Sequence, residues 1–219
     1  GAHAHTTAKM LAGASPKAGQ RLAGGRVGNG FGMVVRYAMH ELPNYTALPT
    51  TPDGQPGYQH RAMQFICPDL DYLERAYADY KQGRPSENPA LISMTGSAID
   101  DSLAPAGKHV MFVWAQYAPY ELASGAQWED IAPQVAERQL DILAAYAPNV
   151  KNAVIDGLIE HPVYLERTLG LLRGNVMHLE MSVDQMFINR PAMGLHTYKG
   201  PVKGLYLTGA SALPGGGIM

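Results

Sequence analysis

Residues Gly204–Met219 read GLYLTGASALPGGGIM, and the rest of the chain is best read outward from them. Leu205-Tyr206-Leu207 is an apolar run long enough for a buried strand. It leads into Thr208-Gly209-Ala210-Ser211, and Pro214 then precedes three consecutive glycines. A strand that closes on glycines leaves backbone N–H groups unscreened, because glycine accepts positive φ and lets a ligand approach the backbone. A helix beginning there would add partial positive charge, which is how proteins hold phosphates. The sequence stops at Met219, where that helix is expected, so the stretch reads as one half of a phosphate-binding arrangement.

The same residues resemble the C-terminal flavin-contacting motif of phytoene-desaturase-like FAD-dependent oxidoreductases, GLYLxGAxxxPGGGV. The similarity is greatest to the branch named after a pyridine-nucleotide-disulfide oxidoreductase domain. Further matches keep the family's order: Leu70 to Tyr77, Gly83 to Ser86, Ser102 to His109, Gln116 to Tyr120, Gly174 to His178, Met181 to Gln185, and Arg190-Pro191. The resemblance therefore covers nearly the whole chain. It implies FAD as cofactor, with Gly209, Ala210, Ser211, Pro214, Gly215, Gly216 and Gly217 as the cofactor-binding candidates. It also implies desaturation or dehydrogenation of a small apolar or amphipathic substrate, hydride equivalents passing to the flavin. In such chemistry the cofactor performs the hard step, so no strong acid–base pair need stand in the sequence. His178, a histidine inside a matched motif, is the catalytic candidate, against a purely structural, hydrogen-bonded histidine. Arg190 faces either the cofactor or an acidic helix end.

No G-x-G-x-x-G follows a strand, so the primary adenine-dinucleotide fingerprint is not in these residues. Gly28, Gly30 and Gly32 come nearest, but their alternate spacing reads as a flexible lead-in to a strand. Gly1 to Thr7 resembles the family's turn after a flavin-domain strand, with Ala-His where the family has Asp-Pro. The expectation is a C-terminal portion of an enzyme, partnered by an N-terminal FAD-binding segment that lies outside it.

Composition narrows the alternatives. At 219 residues the chain can bury a real core. Charged residues make up 16%, low against the roughly 25% of average soluble proteins, which fits a piece that expects a partner surface or an apolar ligand. A net charge of −2 carries no footprint for nucleic acid. The single cysteine, Cys67, excludes a disulfide framework and a cysteine metal site, and its apolar setting reads as a packed thiol in a reducing, cytoplasmic-type compartment. No run approaches the about 20 apolar residues of a membrane span. Peripheral membrane contact, an organelle matrix and self-association stay open.

Along the chain, Pro16 to Ala23 reads as a helix ended by Gly24-Gly25. From Phe31 to Leu42 the pattern alternates, with Phe31, Met33, Val35, Tyr37 and Met39 on one face. Pro43 to Gln59 is a long loop, and Arg61 to Cys67 a second strand. Asp69 caps a helix whose Leu70, Leu73, Tyr77 and Tyr80 recur at core-facing spacing, with Gly83 and Pro85 at its end. Strands are expected at Ala90–Thr95, His109–Tyr117 and Val154–Glu160, and helices at Glu129–Tyr146 and Pro162–Leu169. Asp100-Asp101 reads as a solvated turn. The fold class is α+β: a substrate domain with a mixed or antiparallel sheet, plus a remnant of a Rossmann-like FAD-binding domain. The expected boundaries are 1–25 for a flavin-domain connection, 26–173 for the substrate domain and 174–219 for the return to the FAD-binding domain.

Rival chemistries are weaker. His3 and His5 stand at i, i+2, but no H-E-x-x-H and no carboxylate cluster accompanies them, so no metal site is expected. Gly209-Ala210-Ser211-Ala212 follows an apolar run as a hydrolase nucleophile does, yet Leu213 replaces the closing glycine. No acid or histidine follows Ser211. A non-catalytic binding or interaction module is the alternative to the oxidoreductase.

Overall fold

The computed structural model describes residues 3–217. Ile218 and Met219, the end of the motif, lie outside the described residues, as do Gly1 and Ala2. The elements run α1 (Ala4–Met10), α2 (Pro16–Ala23), β1 (Gly30–Met39), α3 (Tyr58–Arg61), β2 (Gln64–Ile66), α4 (Leu70–Lys81), β3 (Ala90–Thr95), β4 (His109–Pro119), α5 (Trp128–Ala144), α6 (Val150–Ala153), β5 (Val154–Glu160) and α7 (Pro162–Leu169). The protein is α+β, with one five-stranded sheet in the order β2-β3-β4-β1-β5. It divides into two compact units, one from the described part of 1–31 with 163–219, the other from 32–162.

The larger unit is built on the sheet. β1 pairs antiparallel with β5, β2 with β3, and β3 with β4. The alternation read from the sequence is the alternation of burial: Met33, Val35, Tyr37 and Met39 are buried, while Arg36 and Ala38 are exposed. On β3 and β4, Leu91 faces Ala115 and Ser93 faces Val113, all buried. Helix α5 turns Ala132, Val135, Ala136, Leu140 and Leu143 inward at helical spacing. Its first residue, Trp128, is buried, donates from Nε1 to Pro119 O at 2.9 Å, and stacks on His161.

The opposite face of the sheet is also apolar. Register pairs Phe65 with Ile92, Ile92 with Trp114, and Met94 with Phe112 across three strands. Directly opposed residues share a face, so these five side chains form one patch, half-buried except for Phe65, which is 60% exposed. Gly32 of β1 belongs to it: a Cβ there would lie 2.1 Å from Trp114 Nε1 and 2.7 Å from Ala115 O. Close packing under an indole, not a loose lead-in to the strand, requires that glycine.

Two sequence expectations in this unit need correction. The strand expected over Arg61 to Cys67 shrinks to Gln64–Ile66, because Tyr58–Arg61 forms a helical turn first. In α4, Asp69 does cap, its side chain accepting from Tyr72 N at 2.6 Å. However, the helix buries only Ala76, leaving Leu70 80% and Tyr77 40% exposed. The tyrosines instead form a surface cluster with Tyr117 of β4, ring centroids 5.4–5.8 Å apart, and Lys81 lies over Tyr77. Helical spacing marks a face but does not say what covers it. The Asp100 carboxylate closes a local turn on Ser102 N and Oγ.

The smaller unit packs α1 on α2. Ala4, Ala8 and Leu11 meet Ala18 and Leu22, joined by Val27, Leu179 and Leu195. Gly19 lets the helices close, since a Cβ there would come within 3.1 Å of Ala8 O. The resemblance implies a turn up to Thr7, but Ala4–Met10 is helical, with His3 as N-cap accepting from His5 N at 3.1 Å. An imidazole Nδ1 performs the capping that a Ser or Asp side chain usually performs.

Candidate cofactor site

In the smaller unit the C-terminal motif is held by its own chain. Leu207 N donates to Tyr198 O and Gly200 N to Leu205 O, with Lys199 bridged to Tyr206. This is a short hairpin, not the buried strand expected at Leu205–Leu207, and Tyr206 is 68% exposed. A buried strand needs ladder partners on its flanks, and among the described residues only this bridge is present. Leu205 and Leu207 still pack against the α1–α2 core. With Leu11, Leu22, Thr208 and Ser211 they help line an apolar cavity of about 320 Å³.

Beyond the hairpin the backbone turns at Gly209 (φ +92°), where Ala212 N donates to Gly209 O at 2.8 Å. Gly215, Gly216 and Gly217 all adopt positive φ (125°, 67°, 76°), as the glycine run predicts. Gly216 N donates to Ala210 O at 3.2 Å, and Pro214 O accepts from Phe187 N. The N–H groups of Gly209, Ala210, Ser211 and Gly215 face no protein acceptor among the described residues, although Ala210 and Ser211 are buried. Buried N–H groups are nearly always paired, so these donors suit an oxygen-rich ligand.

The missing Cβ atoms have another role. A Cβ on Gly215 would lie 2.8 Å from Arg190 Cδ, and one on Gly216 would lie 3.0 Å from Met177 Sδ. Packing within the unit thus requires glycine at Gly215, before any ligand is considered, whereas at Gly216 only the flexible ends of Met177 and Met181 stand close.

Arg190 is the centre of that packing and is fully buried. Among the described residues it meets neither an acidic helix end nor any carboxylate. Nε and Nη2 donate to Ala210 O at 3.0 and 2.7 Å, and Nη1 donates to Glu180 O and Gln185 O at 3.1 and 3.3 Å. Nη2 also reaches Leu179 O at 3.4 Å and Met177 O. One side chain therefore ties residues 177–185 to the motif. Nothing in the sequence but the Arg-Pro pair marks it, because its partners are carbonyls that every residue carries.

His178 lies against the motif, with φ +64°. Its Nδ1 is 2.9 Å from Ser211 Oγ, which also accepts from Ala4 N at 3.0 Å. His3 stacks on His178 with centroids 5.0 Å apart, and His3 Nε2 donates to His178 O at 2.7 Å. Because His3 Nδ1 accepts from His5 N, its ring is the neutral Nε2–H tautomer. Burial lowers the His3 pKa from 6.5 to about 4. Burial and then the Arg190 charge lower that of His178. Both are neutral bases near pH 7.

The structure thus brings together a Ser–His pair that sequence order argued against. It has no hydrolase geometry: the hydroxyl is buried and accepts a backbone N–H, and among the described residues no carboxylate orients the imidazole. Among the described residues no group of three or more His, Cys, Asp or Glu could hold a metal ion. No helix among them is long and apolar enough to cross a membrane.

No protein-family model matches the chain. It is 40% identical over 187 residues to pyridine nucleotide-disulfide oxidoreductase domain-containing protein 2 of Rattus norvegicus, covering 84% of this chain and 32% of that protein. It is 36% identical over 102 residues to one component of the limonene dehydrogenase of Castellaniella defragrans, covering 46% of this chain and 18% of that one. It is 28% identical over 142 residues to a 4,4'-diapophytoene desaturase of Staphylococcus aureus, covering 63% of this chain and 27% of the desaturase. The chain spans about a third of the length of the first of these relatives. With the glycine turn, Arg-Pro pair and surrounding motifs in one order along it, the chain belongs to the FAD-dependent oxidoreductase family of these relatives, in the branch of the pyridine nucleotide-disulfide oxidoreductase domain-containing proteins.

Proposed function

We propose that the chain is the substrate-facing and flavin-closing portion of a desaturase- or dehydrogenase-type enzyme, working with a dinucleotide-binding segment outside these 219 residues. The observation that carries this reading is the set of unengaged N–H donors at Gly209, Ala210, Ser211 and Gly215 on a positive-φ glycine turn. Such donors fit the ribityl or pyrophosphate oxygens of FAD without any side-chain charge at the contact. Bound there, FAD supplies the acceptor for two electrons and a proton equivalent leaving a substrate C–H.

The remaining roles fall to this chain's residues. Ser211 and His178 stay neutral and hydrogen-bonded, so they orient the turn and do not ionise beside it. In the larger unit, the patch of Phe65, Ile92, Met94, Phe112 and Trp114 offers an apolar surface that excludes water, which supports an apolar or amphipathic substrate.

The test is spectroscopic. Protein produced together with its dinucleotide-binding segment should be yellow and keep the oxidised-flavin band at about 450 nm through gel filtration. Protein that stays colourless after reconstitution with FAD would leave the non-catalytic binding module as the better reading.

A further inference from the structure

We propose that Arg190 is a positioning residue for the anionic part of this site: a buried cation without a carboxylate partner among the described residues, clamped against the turn that would receive a phosphate group. The inference rests on the FAD reading above and adds to it a residue that the reading does not use.

Arg190 is fully buried, and among the described residues its hydrogen-bond acceptors are all backbone carbonyls. Carbonyls satisfy N–H donors but bring no formal negative charge. The acids on the same loops are engaged elsewhere. Glu180 pairs with Arg26 Nε at 3.0 Å, and Asp184 pairs with Arg26 Nη2 at 2.8 Å. A guanidinium keeps its proton, so its positive charge persists inside the unit. Buried charges are usually paired, and an unpaired one favours an anion placed nearby in low dielectric.

Gly215 fixes where that attraction is felt. The position of its absent Cβ is 2.8 Å from Arg190 Cδ and 3.0 Å from Nε, so the turn's backbone lies directly on the charged side chain. Ala210 contributes twice, its carbonyl accepting from Arg190 while its N–H stays unengaged. A permanent cation in contact with a turn of unengaged donors matches a phosphate-type anion, which the N–H groups touch while Arg190 acts through the backbone.

Inorganic pyrophosphate is the probe, titrated into the 219-residue chain at low salt, with sodium chloride at matched ionic strength as control. Pyrophosphate is expected to raise the melting temperature above the chloride control and to shift the backbone amide resonances of Gly209, Ala210, Ser211 and Gly215. Arg190→Lys keeps the charge but loses the fork, and should bind roughly tenfold more weakly. Arg190→Met, folded by circular dichroism, should lose the response altogether. Equal pyrophosphate affinity in wild type and a folded Arg190→Met protein overturns the proposal. If the Met variant does not fold, the wild-type resonances decide, and an absence of shifts at those four amides overturns it. The two readings separate cleanly. A pyrophosphate response without FAD binding by the longer protein sinks only the cofactor reading. FAD affinity unchanged by Arg190→Met in the longer protein sinks only this one.

Discussion

At the scale of single residues, Gly215 and Gly216 are constrained by backbone angle and by neighbours together, and the two constraints have different stiffness. Alanine at Gly215 meets both a φ of +125° and the Arg190 side chain, which five carbonyls hold in place. Gly215→Ala should cost about 2–3 kcal/mol in urea denaturation of this chain. Alanine at Gly216 meets the far ends of Met177 and Met181, which can move, at a φ many residues tolerate with strain. Gly216→Ala should cost about 1 kcal/mol and leave the chain folded, so that FAD retention can be compared in the longer protein that carries the dinucleotide-binding segment. The His3 ring makes a second prediction, with its sign set by burial. Its folded pKa of about 4 lies below the ordinary 6.5, so between those values the unfolded chain binds more protons. Its contribution is complete above pH 6.5 and is lost as the pH falls toward 4. The loss should be on the order of 2 kcal/mol after allowance for solvent screening. Melting curves from about pH 7 to about pH 4 should show this slope in wild type and a shallower one in His3→Gln.

At the scale of elements, β1 depends on a residue with no side chain. Gly32→Ala would drive a methyl group into the Trp114 indole and the Ala115 carbonyl, and the second of these cannot turn aside. The expected loss is about 2 kcal/mol or more, with a change in tryptophan emission as the indole is displaced. No hydrophobic pattern announces this requirement, because it arises from a neighbouring strand far away in sequence. Helix α4 shows the converse. Its N-cap is legible because Asp69 acts on Tyr72, three residues away, and Asp69→Ala should cost about 1 kcal/mol. The destination of its tyrosines is not legible, because Tyr117 lies on another element.

At the scale of the whole molecule, this chain alone should bind FAD weakly. A handful of backbone donors, each worth about 0.5–1.5 kcal/mol net, is set against an association cost of about 4 kcal/mol or more. Titration calorimetry that showed tight, stoichiometric FAD binding by the 219 residues would contradict this. What the sequence determined by itself was local or periodic. Proline and glycine bounded α2, alternation set the faces of β1, β3 and β5 kept the ranges read for them, and glycine spacing announced the positive-φ turn. These follow from steric rules acting over a few neighbouring residues. Tertiary structure alone decided the rest: Arg190 closing on carbonyls from residues 177–185 and 210, His178 meeting Ser211, and Leu205–Leu207 forming a hairpin, not a buried strand. In each case the deciding partner is backbone or is distant along the chain, and neither leaves a signature in the order of side chains.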